Sequence, residues 1–267
     1  MSEYLMAGQR SELERLQLQA RTWEPAGRGL LGELGDGVGR RVLDVGCGAL
    51  GWLRLLADWV GPTGRVVGTD IDESLLAAAG AFAADEGLSG VELVRDDLFA
   101  SRLEPGSFDL VHARFQLAPL GRAAEQLAAY RALVAPGGWL VLEEPDAGSW
   151  HVNPPAPAAQ RLVELILRAF LAAGGDFDAG RSLFGLLADV GLEPNVRAQV
   201  LALPPNHPYA RVGIQFSVSL ERRLVEFIPL DELRLLRADA ERELAEPGRW
   251  GTTFTLVQAW ARVPAAG

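Results

Sequence analysis

The sequence predicts an α/β fold: a mostly parallel sheet covered by a helical cap. Three observations carry that expectation. Between residues 41 and 144, short β-branched or apolar runs alternate with helical stretches, the pattern of strand–helix–strand units. The first run feeds a glycine-rich turn, GCGALG, that opens the next helix. Amphipathic helical segments lie outside this alternation at both ends of the chain.

In chain order, residues 10–23 form a helix opened by a capping box, Ser11 with Glu14 three residues on, with Leu13, Leu16, Ala20 and Trp23 on one face. Strands are expected at 41–45, 65–69, 91–95, 108–113 and 139–144. Helices at 50–59, 73–86 and 121–134 fit between them; Gly87 stops the second and Pro136-Gly137-Gly138 follow the third. Beyond the fifth strand come helices at 156–173 and 178–190, the run VRAQVLAL at 196–203, a largely helical stretch at 208–246 and a last strand at 252–263. The N-terminal helix and the insertion before the last strand read as a lid on one α/β core. The expectation is a single domain over 1–267 with cap elements at 1–30 and about 205–250.

Composition narrows the function. With 267 residues, 49% hydrophobic and 22% charged, the chain is neither disordered, collagen-like nor coiled coil. Its net charge of −10 argues against tracking nucleic-acid phosphates or an anionic membrane. No lysine occurs, so every basic residue is arginine, which reads as codon bias. No apolar run reaches the ~18 residues of a membrane span, and the N-terminus, MSEYLMAGQRSELER, does not resemble a signal peptide. Cys47, the lone cysteine, leaves no intramolecular disulfide and no thiolate metal cluster. A cytoplasmic protein acting on a small molecule is expected, without nucleic-acid or membrane partners; a homodimer is left open.

The glycine turn can be read two ways. Gly46, Gly48 and Gly51 spell G-x-G-x-x-G, and Asp70 lies 19 residues after Gly51, as in a dinucleotide site. Asp44, two residues before the first glycine, decides between ligands. Its carboxylate would repel a pyrophosphate by on the order of 2–3 kcal/mol at ~6 Å and an effective dielectric near 20. S-adenosylmethionine (SAM) has no phosphate and brings an ammonium and a sulfonium, which an acid favours.

Val42 to Gly48, VLDVGCG, resembles motif I of class I SAM-dependent methyltransferases, notably those of ubiquinone and menaquinone biosynthesis and of bacterial natural-product pathways. The resemblance continues through Val66 to Asp72, Arg95-Asp96-Asp97-Leu98, Ser107 to Val111 and Leu133 to Gly138. It departs where motif I has its third glycine two residues after the second; Leu50 stands there, with Gly51 beside it. The resemblance implies a Rossmann-like class I methyltransferase fold, its sheet mostly parallel with an antiparallel last strand, SAM as cofactor and S-adenosylhomocysteine as product. It further implies that Asp70 accepts the ribose hydroxyls, that Ile71 lies against the adenine, and that Asp97 with the Leu98 amide, or Asp96 by one register, holds the adenine edge. Gly46 and Gly48 bring bare backbone to the cofactor; Cys47 beside them reads as buried filler rather than a reactive thiol. Arg114, after the fourth strand, is a candidate for the cofactor carboxylate, and Arg15 with Gln19, one helical turn apart, for closing over the methionine end.

Methyl transfer to a hydroxyl needs a base near neutrality. Of the three histidines, His151, beyond the fifth strand, is the leading candidate; His112 lies on the fourth strand and reads equally as inward and structural, and His207 sits in a Pro-rich turn. Trp23, Trp150, Phe216 and Phe227 fall in lid segments and suggest an apolar or aromatic acceptor, unless they only pack the cap. Asn153-Pro154-Pro155 resembles the N-P-P-Y motif of amino-methylating enzymes, but it lies beyond the fifth strand and continues with Ala156, so it reads as a loop. Glu143, Glu144 and Asp146 suggest a metal cluster, yet 143 and 144 alternate across a strand, and no metal is expected. The rival to methyl transfer is a methyltransferase-like protein that binds SAM and guides a cyclisation or isomerisation instead.

Overall fold

In a computed structural model describing residues 10–265, the side chains of 10–12 excepted, the strands are β1 (Arg41–Val45), β2 (Arg65–Asp70), β3 (Val91–Arg95), β4 (Phe108–Arg114), β5 (Val134–Asp146), β6 (Val152–Asn153), β7 (Asn195–Gln199), β8 (Ala202–Leu203), β9 (Trp250–Thr252) and β10 (Thr255–Arg262). The helices are α1 (Arg10–Leu34), α2 (Leu53–Val60), α3 (Glu73–Asp85), α4 (Leu117–Leu120), α5 (Ala123–Leu133), α6 (Pro157–Ala172), α7 (Leu183–Asp189), α8 (Val212–Ser219), α9 (Glu221–Leu224) and α10 (Leu230–Leu244). Seven strands form the main sheet in the order β3-β2-β1-β4-β5-β10-β7. Only β10 runs antiparallel to its neighbours, β5 and β7.

Period-two alternation makes both faces of the sheet apolar. Val42, Leu110 and Val141 pack with Leu30, Trp52 and Leu56 of α1 and the α2 region. Leu43, Val111 and Leu140 pack oppositely, with Leu127 and Tyr130 of α5 and Leu183 and Leu187 of α7. A third core, of Trp23, Trp150, Phe170, Phe216, Phe254 and their neighbours, joins α1 to the long insertion between β5 and β10.

Several elements differ from the sequence expectation. The first helix continues to Leu34 through Pro25. The proline forfeits one helix bond, but the buried row Trp23, Ala26, Leu30 and Leu34 runs across it. The Ser11 side of its expected capping box lies outside the described side chains. The expected helix at 121–134 is α5, which starts later because Gly121 and Arg122 both take positive φ, 58° and 51°; the same turn sets apart the short α4 before it. The run at 196–203 and the last strand each split: β7 and β10 stay in the main sheet, while β8 and β9 pair with β6 in a second, three-stranded sheet. Strands of two or three residues are too short to register as periodicity. The strand order reverses between β1 and β4, and ligands of open α/β sheets gather in the crevice at the carboxyl ends there.

Candidate cofactor site at the β1/β4 crevice

The turn after β1 is left-handed at Gly46, Gly48 and Gly51, with φ of 62°, 56° and 46°. At Gly51 a Cβ would also collide with the Asp44 carboxylate and the Cys47 carbonyl. This accounts for the displaced third glycine: it sits where Asp44 presses against the chain. The Gly48 N–H donates to Asp70 Oδ2 at 3.0 Å, and the Cys47 N–H to the Thr69 carbonyl at 2.8 Å, so the turn is tied to the end of β2. Cys47 is buried, and its thiol is pushed well up by that burial and by the nearby Asp44 and Asp70 charges.

Asp70 Oδ1 accepts the Asp72 N–H at 2.9 Å, and burial raises its pKa despite the backbone donors. Ile71 beside it stands half exposed. At the end of β3, Asp96 is half-buried and accepts the Arg102 N–H at 3.0 Å; Asp97 is exposed and accepts the Phe99 N–H at 3.0 Å, with Leu98 half-buried. Asp70, Ile71, Asp96, Asp97 and Leu98 therefore share one end of the sheet.

α1 crosses above the turn. A Cβ on Gly48 would lie 3.6 Å from Leu16 Cδ1. Arg15 Nη1 donates to Gln19 Oε1 at 2.9 Å, both residues being buried, and the Arg15 guanidinium lies 4.4 Å over the Phe216 ring. Arg114 is nearly buried at the end of β4; its Nη2 makes a long bond to the Gly51 carbonyl, 3.4 Å, and its buried Nη1, 3.8 Å from Glu143, has no hydrogen-bond partner among the described residues.

Four expectations are corrected. Asp44 does not face a ligand: it is 1% exposed, its Oδ2 accepts the Trp52 N–H at 2.7 Å and its Oδ1 pairs with His112 Nδ1 at 2.7 Å. His112 is fully buried between Asp44 and Glu143, so it touches no substrate. Trp23 and Phe216 are core, because they fill the interior between α1 and the insertion together with Trp150, Phe170, Phe177 and Phe254; the Trp23 ring packs on Phe254, centroids 5.6 Å apart, and its indole N–H donates to the Tyr209 hydroxyl at 3.0 Å. Trp150 is core on one side, stacked on Phe177 at 5.6 Å, but also borders a cavity of about 310 Å³. His151 stands exposed on the rim of that cavity, its Nε2 3.0 Å from the Gly148 carbonyl oxygen. His207 takes the Tyr209 N–H and starts a turn.

One polar residue escaped the sequence reading, and a second is read there only as a dismissed metal ligand. Gln116 lies over Gly46, its side-chain amide donating to that carbonyl at 3.3 Å. Glu144 accepts the N–H groups of Gln116, Leu117 and Ala118 at 2.8, 2.7 and 3.0 Å, and burial pushes its carboxyl up to about 8. Glu143 turns to the other face, toward His112 and Gln258. The signal was the acidic pair itself, since adjacent carboxylates on a buried strand must find partners on opposite faces. Among the described residues, no group of three His, Cys, Asp or Glu side chains could hold a metal ion.

Residues 42–138 match the family model described as a methyltransferase domain. That span, and not the whole chain, carries the methyltransferase match. The chain is 37% identical over 136 residues to nocamycin O-methyltransferase of Saccharothrix syringae, covering 49% of each chain. It is 30% identical over 135 residues to the demethylmenaquinone methyltransferase of Lactococcus lactis, covering 51% of each. The chain thus spans about half the length of the curated relatives it matches. Among solved structures, the YcgJ protein of Bacillus subtilis shares the fold with a TM-score of 0.61 at 13% identity, over 90% of this chain and 99% of that one. SAM is the cofactor of this family. The crevice fits it: the left-handed turn brings bare backbone forward at Gly46 and Gly48, Ile71 offers an exposed apolar face beside the Asp70 carboxylate, and Arg114 Nη1 is a buried donor with no hydrogen-bond acceptor among the described residues, 3.8 Å from Glu143.

Proposed function

We propose that this methyltransferase transfers the SAM methyl group to a small apolar or aromatic metabolite, of the natural-product kind. The observation that carries the reading is the left-handed glycine turn at the β1/β4 crevice, tied by the Gly48 N–H to Asp70. Bound SAM supplies a sulfonium methyl that is already activated. The chain's residues then bind, align and exclude water. Asp70 accepts the ribose hydroxyls with the lone pairs its backbone bonds leave free, Ile71 covers the adenine, and Asp97 or Asp96 with the Leu98 amide takes the adenine edge. Gln19 and Arg114 hold the methionine carboxylate, while α1 closes above.

The acceptor reading is supported by the cavity of about 310 Å³, walled by Trp150, Ala156, Leu162, Val163 and Gly213. That volume is at the lower end of small-ligand pockets. His151 on its rim is the base for a hydroxyl acceptor, exposed enough to pass the proton to water. Mass spectrometry of a panel of hydroxylated aromatic compounds incubated with SAM tests the reading. Equal amounts of S-adenosylhomocysteine and a product heavier by one methylene support it. A rearranged product with SAM intact replaces it by the cyclase or isomerase role.

A further inference from the structure

A buried ionic cluster lies beneath the glycine turn, unused by the chemistry above. His112 Nδ1 is 2.7 Å from Asp44 Oδ1 and its Nε2 is 3.3 Å from Glu143 Oε2. The imidazole stacks on Trp52, ring centroids 3.8 Å apart and planes 14° apart. Each carboxylate governs a different part of the crevice. Asp44 holds the Trp52 N–H at 2.7 Å and abuts Gly51, whose carbonyl receives Arg114 Nη2. Glu143 lies 3.8 Å from Arg114 Nη1 and takes a side-chain N–H of Gln258.

We propose that His112 is a positioning residue which, through Asp44 and Glu143, sets both the Gly51–Trp52 end of the turn and the Arg114 guanidinium, and thereby the subsite for the cofactor's amino-acid end. This rests on reading the crevice as the SAM site. The charged groups facing the imidazole are Asp44 from β1 and Glu143 from β5, and Arg114 from its own strand faces Glu143. The start of α2 contributes neutral Trp52 and β10 neutral Gln258, and Cys47 stays a thiol. Two carboxylates against one arginine leave a negative charge that an imidazolium cancels. Burial opposes that charge on His112, but the bonds to Asp44 and Glu143 outweigh it and hold the pKa above the ordinary histidine value.

The imidazolium donates to both carboxylates. After deprotonation one nitrogen turns a lone pair on a carboxylate, and the longer contact, Nε2 to Glu143, is the one to give way. Glu143 then pairs more closely with Arg114 and competes with the ligand's carboxylate for it.

Calorimetry on the full chain with two ligands tests this. S-adenosylhomocysteine carries the amino-acid end, whereas 5′-methylthioadenosine keeps the nucleoside and lacks that end. For the wild type, S-adenosylhomocysteine affinity should fall as pH rises through the His112 titration, while methylthioadenosine affinity stays level. His112→Gln should weaken S-adenosylhomocysteine about tenfold or more on the acid side, the scale of a lost bond to a charged group, spare methylthioadenosine, and lose the extra alkaline fall. Titration of the ligand's own amine is common to both proteins and cancels in their comparison. Glu143→Gln, which removes the carboxylate that competes for Arg114, should also lose the alkaline fall, while the His112 imidazole itself titrates at lower pH for want of one anion. Because the chain has three histidines, NMR of carbon-labelled imidazoles follows His112 in the wild type even if His112→Gln does not fold. Equal weakening of both ligands in His112→Gln, or pH profiles alike in wild type and variants, overturns the inference. A wild type that binds neither ligand overturns the cofactor reading itself.

Discussion

At Gly51 the backbone takes φ of 46° and a Cβ would meet the Asp44 carboxylate, so two costs coincide at one residue. Gly51→Ala should lower stability by about 2 kcal/mol or more, beyond the penalty of a left-handed alanine alone; the urea midpoint measures it. Asp70 has a different role: its carboxylate anchors the Gly48 and Asp72 N–H groups while keeping lone pairs for a ligand. Asp70→Ala should weaken S-adenosylhomocysteine by about 1.5–3 kcal/mol. Unchanged affinity in a folded variant would assign the ribose to another acid. At this scale the sequence points to residue type and neighbourhood. It does not say where a side chain turns, which is why Asp44, read as facing the ligand, is instead spent on His112 and the Trp52 N–H.

Among the elements, α1 decides access to the turn. It lays Leu16 over Gly48 and buries Arg15 and Gln19 beneath itself, and it packs on α2 where Gly27 lets the helices meet closely. A segment that covers a ligand opens at lower free energy than the core beneath it. Hydrogen exchange should therefore show protection rising in α1 on addition of S-adenosylhomocysteine, and also in the helical stretch 208–246, by more than at the glycine turn. Identical exchange with and without ligand would make both segments static packing. The amphipathic pattern of residues 10–23 is legible as a helix, but its extension to Leu34 through Pro25 is not. A proline is a local penalty of a few kcal/mol, and the burial of Ala26, Leu30 and Leu34 that offsets it exists only once the sheet and the insertion are in place.

For the molecule as a whole, the buried acids shape stability against pH. Glu144, raised to about 8 by burial, binds its proton more tightly folded than unfolded. Its contribution is therefore present at low pH and lost as pH climbs from the ordinary carboxylate value to about 8. Asp70, also raised, and His112, held above its ordinary value, act in the same direction. Glu24, Asp72 and Asp146 are lowered, so their contributions are lost on the acid side. The melting temperature should consequently be higher at about pH 6 than at about pH 9. In Glu144→Gln that difference should shrink, even though the variant loses the bond to the Ala118 N–H at every pH. An unchanged difference in the variant would place the titrating group elsewhere.

The strand–helix alternation, the glycine turn at the end of the first strand, and the acids after the second and third are legible locally, because each is encoded within a few neighbouring residues. Those short-range patterns also carried the family resemblance, over the span that matches the methyltransferase model. The tertiary structure decided the rest. Asp44 and His112 are 68 residues apart, and Glu143 and Gln258 are 115 apart, yet each pair faces across adjacent strands. Glu144 finds the backbone of residues 116–118, and the short strands β8 and β9 form only where a second sheet can pair them. Burial and partnership are properties of strand order and register, and no local pattern contains either.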